Sequence, residues 1–528
     1  MKFRLKTFTS LLLVMLIVGC ATGTSRARPD ATEYSRPSSF AISETEPTAL
    51  RNHLKEATAK NAGQSGFHIY DRGSQSLIAR LALARLAEKT IDLQYYAIAG
   101  DATSNLMMEA LIRAGRRGVR VRLLVDSFTV GSMKEALLAF DGISNIEIRV
   151  FNPLMTVDQP PWEKVQTIFT DLGHANKRMH NKVLIADNQM AIMGGRNLSD
   201  EYFDADQDFE FKDIDVLTAG PITNDLSKSF DEYWNDRNSF PVYAVYEAKH
   251  DQIKTHELRA KLKQNWDKQA QDPKQRRQLA ASLPEILNDA DLSLTWAKAE
   301  LAADDPLKVV RPTSINESEP LKEILSLLNS AKKEFIIISA YFVPTDEGVQ
   351  WLGGLEDRGI DVRVLTNSLA STDVVAVHSG YAPYRTALLK EGVDLYEFMP
   401  VGQKKSRQRL LGRSQPPRAG LHSKAYIIDN EHAIIGSFNL DPRSVQLNTE
   451  MAIVVHSKEL SSQLHKMFER SIQPDVSYQL MFDKSGQNLR WQGIEKGKKI
   501  RYSREPHAGV WRNIQNFLVT LLPVEDQL

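Results

Sequence analysis

The sequence predicts an α/β fold of two tandem, similar halves, each a mixed β-sheet flanked by helices. Three observations carry that expectation. The length of 528 residues exceeds what one hydrophobic core usually fills. A strand–helix–strand order appears twice, and one short polar motif recurs in register within it.

In chain order, residues 1-19 read as an export signal. Lys2, Arg4 and Lys6 precede the apolar run Leu11 to Val18, which is short for a bilayer span. Cys20, the only cysteine, follows Ile17-Val18-Gly19. That context resembles the bacterial lipobox, so lipidation at Cys20 is expected, the alternative being ordinary cleavage with an incidental thiol. Ala21 stands where the sorting rule reads Asp as an inner-membrane retention signal, which favours the outer membrane. A lipid-anchored protein on the periplasmic face of a bacterial envelope is therefore expected. Residues 20-48 lack periodicity and are rich in Ser, Thr, Pro and Arg, as in a flexible tether.

The first domain is expected over 49-245. Ile91 to Tyr96 alternates as a strand, Asn105 to Arg117 reads as a helix, and Gly118 to Asp126 as the next strand. Phe335 to Tyr341, Gly348 to Arg358 and Gly359 to Asn367 repeat that order in a second domain over 306-475. Ile146 to Pro153 is echoed by Val393 to Pro400. Such alternation implies βα units with helices covering the sheet. Between the halves, 246-305 is charged and helix-prone, and it is expected to be a helical linker or insert because it lacks the apolar content of a core. Residues 476-528 form a C-terminal extension in which Trp511, Ile514, Phe517, Leu518, Leu521 and Leu522 recur at helical spacing. This amphipathic helix is expected to dock its apolar face on the protein itself rather than on a membrane.

The repeated motif carries the chemistry. His180, Lys182 and Asp187 stand in an H-x-K-x4-D pattern, and His422, Lys424 and Asp429 repeat it at a constant offset shared by Gly194 and Gly436 and by Asn197 and Asn439. One copy could arise by chance, but two in register with matched Gly and Asn do not. Positions i and i+2 share a strand face, so each His and Lys can point together into a site. Asp187 and Asp429 fall at an odd offset just before an Asn, and although they belong to the motif they are expected to organise a turn rather than meet substrate. One neutral imidazole can attack phosphorus to give a phosphohistidine while a second protonates the departing alkoxide. Lys182 and Lys424, with the amides of Asn197 and Asn439, would bind the phosphoryl oxygens, without any metal or cofactor. Each histidine needs an acceptor on its other nitrogen, and Asp213 and Glu450, at comparable places after the two asparagines, are the candidates.

These residues and several longer strings resemble the phospholipase D superfamily, and in finer detail the C-type branch of the bacterial cardiolipin synthases. The strings include Asp92-Leu93-Gln94-Tyr95-Tyr96, Gly194-Gly195-Arg196-Asn197, Tyr341-Phe342-Val343-Pro344, Gly436-Ser437-Phe438-Asn439 and Asn448-Thr449-Glu450. The resemblance spans about Phe67 to Ser471. It implies a pseudo-two-fold axis that brings both motifs into one cleft, in a monomer that is internally a pseudo-dimer. It also implies transfer of a phosphatidyl group from one phospholipid to phosphatidylglycerol, giving cardiolipin, with His180 as nucleophile and His422 as acid. Phosphatidylglycerol, with phosphatidylethanolamine as a second candidate donor, and the membrane surface are the expected partners. A hydrolytic phospholipase D of the envelope is the alternative. A nucleic-acid phosphodiesterase is disfavoured, since Lys+Arg and Asp+Glu both number 66 and no global charge attracts nucleic acid.

Two weaker signals remain. Lys404 to Arg418 is basic with no acidic residue, as in a loop that holds anionic head groups or in one that is simply solvated. His378 reads either as an acceptor-site residue or, with slight preference, as a structural helix histidine.

Overall fold

The computed structural model describes residues 34–127, 133–153, 176–206, 208–246, 293–311, 318–400 and 418–520, with positions 260 and 264. The signal peptide, Cys20, most of the 246-305 segment and the basic run up to residue 417 lie outside the described residues.

In the first half the alternating and apolar runs become β1 (Ser65–Tyr70), β2 (Thr90–Tyr95), β3 (Arg120–Asp126), β4 (Ile146–Phe151), β5 (Val183–Ala186), β6 (Met190–Gly194), β7 (Phe209–Lys212), β8 (Asp215–Ala219) and β9 (Ser239–Pro241). The second half supplies β10 (Thr295–Ala303), β11 (Glu334–Ser339), β12 (Asp361–Asn367), β13 (Asp394–Phe398), β14 (Arg418–Leu421), β15 (Lys424–Ile428), β16 (His432–Gly436) and β17 (Met451–His456). β18 (Ser477–Phe482), β19 (Leu489–Glu495) and β20 (Lys498–Tyr502) follow.

Eighteen of these strands join in one sheet. Its centre is the antiparallel pair β1–β10, with Ser65 opposite Ala297 and Phe67 opposite Thr295. Outward from β1 run β8, β6, β5, β2, β3, β4 and β9. Outward from β10 run β17, β16, β15, β11, β12, β13 and β18. The two series correspond strand for strand, including the parallel triplets β2–β3–β4 and β11–β12–β13, so the repeat in sequence is a pseudo-two-fold in space. The remaining pair, β7 with β14, is parallel and crosses between halves.

The central core draws on both halves. Phe230, Tyr233 and Trp234 of helix Pro221–Asn235 and Leu460, Leu464 and Phe468 of helix Lys458–Ser471 pack with Val183, Ile185, Ala425 and Ile427. Strands covered on both faces need such continuous apolar runs, and β5 and β15, each antiparallel to both neighbours, are buried throughout. Each ends in an Asp-Asn turn with both residues at positive φ, 53° and 51° at Asp187-Asn188 and 55° and 53° at Asp429-Asn430. Asp and Asn tolerate that left-handed pair of a tight hairpin.

Three expectations change. A flexible tether is expected through residue 48, yet Arg36 donates to the carbonyls of Asp236 and Ser239, and Ala41 N–H to Asp231 at 2.8 Å, so residues 34–48 lie against the first half. The segment 246-305 is expected to be a helical linker, yet its end is β10, which pairs with β1 on one edge and β17 on the other. The C-terminal extension adds β18–β20 to the sheet, and its helix Val510–Thr520 docks through polar residues, with Trp511 67% and Ile514 42% exposed. Among the described residues no helix is long and apolar enough to cross a membrane.

Candidate active site

The segment Arg178-Met179-His180 enters β5 alongside residues of the other half. His180 N–H donates to the Thr449 carbonyl at 2.9 Å, and Thr449 N–H donates back to Arg178. The second motif mirrors this: β14 runs along β7, and His422 N–H donates to the Lys212 carbonyl at 2.7 Å. The residue that follows each anchoring carbonyl is a carboxylate, Glu450 after Thr449 and Asp213 after Lys212. Each reaches the histidine just anchored. Glu450 lies 2.9 Å from His180 Nδ1, and Asp213 lies 2.7 Å from His422 Nδ1.

The two orienting carboxylates therefore cross between halves. With an acceptor on Nδ1, a neutral imidazole carries its proton there and keeps the Nε2 lone pair for the substrate side. Asp126 and Asn367, at the ends of β3 and β12, fix the residue before each histidine by accepting from Met179 N–H and Leu421 N–H, both at 2.9 Å. Neither residue belongs to the repeated motif, although both close matched strands.

Glu450 also accepts from the hydroxyls of Ser437 and Ser444. Asp213 instead lies against Gly195, where a Cβ would come within 2.4 Å of its carboxylate. The residue matched to Ser437 must be glycine for close approach.

Lys182 and Lys424 point back onto the carbonyls of His180 and His422. Tyr96 faces both His180 and Lys182, with the ammonium 5.3 Å from the ring centroid; Tyr341 does the same for His422 and Lys424. Asn197 donates to the Tyr202 hydroxyl at 3.1 Å while its buried carbonyl oxygen has no hydrogen-bond partner. Asn439 accepts from Tyr341 N–H at 3.4 Å. The Tyr202 hydroxyl is 3.5 Å from His422 Nε2. Tyr96 and Tyr341 sit in strings the sequence singled out, whereas Tyr202 carried no signal because Ser444 occupies its matched position.

Burial governs the electrostatics, and the charges of the two motifs reach one another. Burial pulls His180 down to about 4 against the upward pull of Glu450. Burial and then the charge of Lys424 hold His422 well below its usual range, with Lys182 and His180 adding to the effect. Lys182 is lowered to about 7 by burial, with Lys424 adding to the fall, and Lys424 is lowered by burial. Burial raises Asp213 to about 7. Burial also acts upward on Glu450, but His180, Lys182 and Ser437 outweigh it and hold this carboxyl below its usual range. The site is thus asymmetric, with an ionised carboxylate behind His180 and a readily protonated one behind His422.

A pH dependence follows. Lys182 is cationic below about 7 and loses its charge above it. If Lys182 binds phosphoryl oxygens, kcat/KM for an anionic phosphodiester is expected to fall as pH rises through that value, because that charge is lost. A pH–rate profile that stays flat well above neutrality would remove Lys182 from that role.

Asp187 accepts from the N–H groups of Glu88, Lys89 and Thr90, and Asp429 from those of Lys332, Lys333 and Glu334. Neither contacts its own histidine; both clamp the strand end opposite the hairpin. His378 is buried in helix Val375–Tyr381, where Arg385 donates to its Nε2 at 2.8 Å and Glu505 lies 3.5 Å away. These contacts give it the structural role.

A family model described as cardiolipin synthase, PLD-like domain, matches residues 77–234 and 324–472. The chain is 36% identical over 469 residues to the cardiolipin synthase C of Escherichia coli K12, across 88% of this chain and 97% of that protein. It is 24% identical over 450 residues to cardiolipin synthase 1 of Bacillus anthracis, across 84% of this chain and 72% of that one. Among solved structures, the phosphatidylserine synthase of Haemophilus influenzae covers 90% of this chain and 100% of its own with a TM-score of 0.56 at 13% identity, a likeness of fold.

Proposed function

The chain belongs to the cardiolipin synthase family with phospholipase-D-like domains, and from that premise we propose that it is a phosphatidyltransferase forming cardiolipin through a phosphohistidine. The crossed histidine–carboxylate pairs carry the reading, because they give one site two imidazoles, each with its Nδ1 held by a carboxylate, which leaves Nε2 as the nitrogen for chemistry.

His180 Nε2 attacks the phosphorus of the donor lipid. The P–N bond forms, the bond to the head-group oxygen breaks, and the departing alkoxide takes a proton from Nε2 of His422, which enters this step protonated, with the proton that the Asp213–His422 pair holds. The glycerol hydroxyl of phosphatidylglycerol then gives its proton to His422, attacks phosphorus, and releases His180. Lys182 and Lys424 hold the phosphoryl oxygens, with the Asn197 and Asn439 amides beside them. The ionised Glu450 supports His180 as nucleophile, since it stabilises the cation that forms when the ring is phosphorylated. The more readily protonated Asp213 suits a His422 that must alternate between acid and base.

A single chain supplies both histidines, so a monomer suffices. We place it in the bacterial envelope, held by a lipid on Cys20 at the periplasmic face of the outer membrane. Purified protein given phosphatidylglycerol vesicles, with and without phosphatidylethanolamine, is expected to yield cardiolipin by thin-layer or mass analysis. Phosphatidic acid as sole product would replace this reading with the hydrolytic one.

A further inference from the structure

The C-terminal helix Val510–Thr520 packs on helix Val375–Tyr381 by its polar side. Ser379 Oγ donates to Asn516 Oδ1 at 2.9 Å, and the Arg512 guanidinium donates to the carbonyls of Leu369 at 2.7 Å and Thr372 at 2.9 Å. With that side committed to the protein, the opposite side carries Trp511, 67% exposed, and Ile514, 42% exposed, with Phe517 on the same stripe. Val374, at the start of the helix beneath, is 38% exposed. Of the seven large hydrophobics exposed among the described residues, these are four, so the apolar surface is concentrated here.

This patch is tied to the site through one loop. Thr372, held by Arg512, precedes Asp373, whose carboxylate accepts from the Tyr341 hydroxyl at 2.8 Å, and the Tyr341 ring packs against His422. Two cations flank the patch at the same loop, since Arg418 donates to the Ala370 carbonyl at 2.7 Å beside Arg512. An outward Trp and Ile stripe with guanidiniums at its edge has the chemistry of a helix lying in a bilayer interface.

We propose that Trp511, Ile514 and Val374 form a wedge that inserts into an anionic phospholipid surface and sets the entrance beside His422 at head-group level. This rests on the reading of the site as one that takes phospholipids. A lipid drawn partly out of the leaflet would then reach His422 without crossing water.

The test uses the full chain in two measurements. With vesicles of phosphatidylglycerol and phosphatidylethanolamine carrying brominated acyl chains, wild-type tryptophan emission should be quenched, and the excess quenching should vanish in Trp511→Phe. Ile514→Asp should lower turnover on vesicles about ten-fold or more, while turnover of a short-chain phosphatidylglycerol below its micelle concentration stays within about two-fold. Equal quenching in wild type and Trp511→Phe overturns the proposal, as does an Ile514→Asp loss that is absent on vesicles or the same on both substrates. A wild-type protein inactive on both substrates would instead sink the phosphatidyltransferase reading. The quenching would still decide the surface, and a patch that binds protein would leave it unquenched.

Discussion

His180→Ala is expected to lower turnover by about four orders of magnitude or more, and His422→Ala to do the same, because each removes an imidazole for which the site holds no substitute. The two variants should differ in what they trap. His422→Ala retains the nucleophile and loses the acid and base, so a phosphatidyl group should accumulate on an acid-labile histidine when the leaving alcohol is good enough to depart unassisted. His180→Ala should trap nothing. Intact-mass spectrometry of protein quenched at alkaline pH reads both outcomes. An adduct in His180→Ala but not in His422→Ala would exchange the two roles, and substantial turnover in either variant would refute a shared site.

Glu450→Gln and Asp213→Asn should each cost about two to four orders of magnitude in kcat, the range for mis-setting the tautomer of a catalytic histidine while leaving it in place. The informative comparison lies in the His422→Ala background. Glu450 lies on Nδ1 of His180, so Glu450→Gln should slow adduct formation by about a hundred-fold. Asp213 serves His422, which that background already lacks, so adding Asp213→Asn should leave the rate nearly unchanged. Pairing within halves would give the opposite result. Glu450 also accepts from Ser437 and Ser444, so thermal melting of the Gln variant would show whether any loss is one of folding.

Much of this arrangement is legible in the sequence. Alternation marks β2 and β11, the apolar runs after Lys182 and Lys424 mark β5 and β15, and Asp-Asn marks the turns, because each is decided by neighbours along the chain. Asp213 and Glu450 can be selected by their places after matched asparagines. Their crossing cannot, since it depends on Thr449 and Lys212 meeting the opposite motif through long-range strand contacts. β10 reads as helix because Trp296-Ala297-Lys298-Ala299-Glu300-Leu301-Ala302-Ala303 is rich in helix formers. Partners on both edges override that propensity. The C-terminal helix has the periodicity expected, but periodicity locates an apolar stripe without saying which side the protein takes. Arg512 and Asn516 decide that through hydrogen bonds to carbonyls and to Ser379. Tyr96 and Tyr341 carry no signal of a role because aromatic residues in strand-like runs are ordinarily core.

The crossed carboxylates also bear on how such a chain can change over generations. A duplicated domain normally frees one copy to decay into scaffold while the other keeps the chemistry. Here each copy holds the histidine of one centre and the acid that serves the other, so a loss in either half disables both steps of the reaction. The halves are bound to mutual inheritance, yet they differ at Gly195 against Ser437 and at Tyr202 against Ser444, since one half gives its carboxylate space and the other gives its carboxylate hydroxyls.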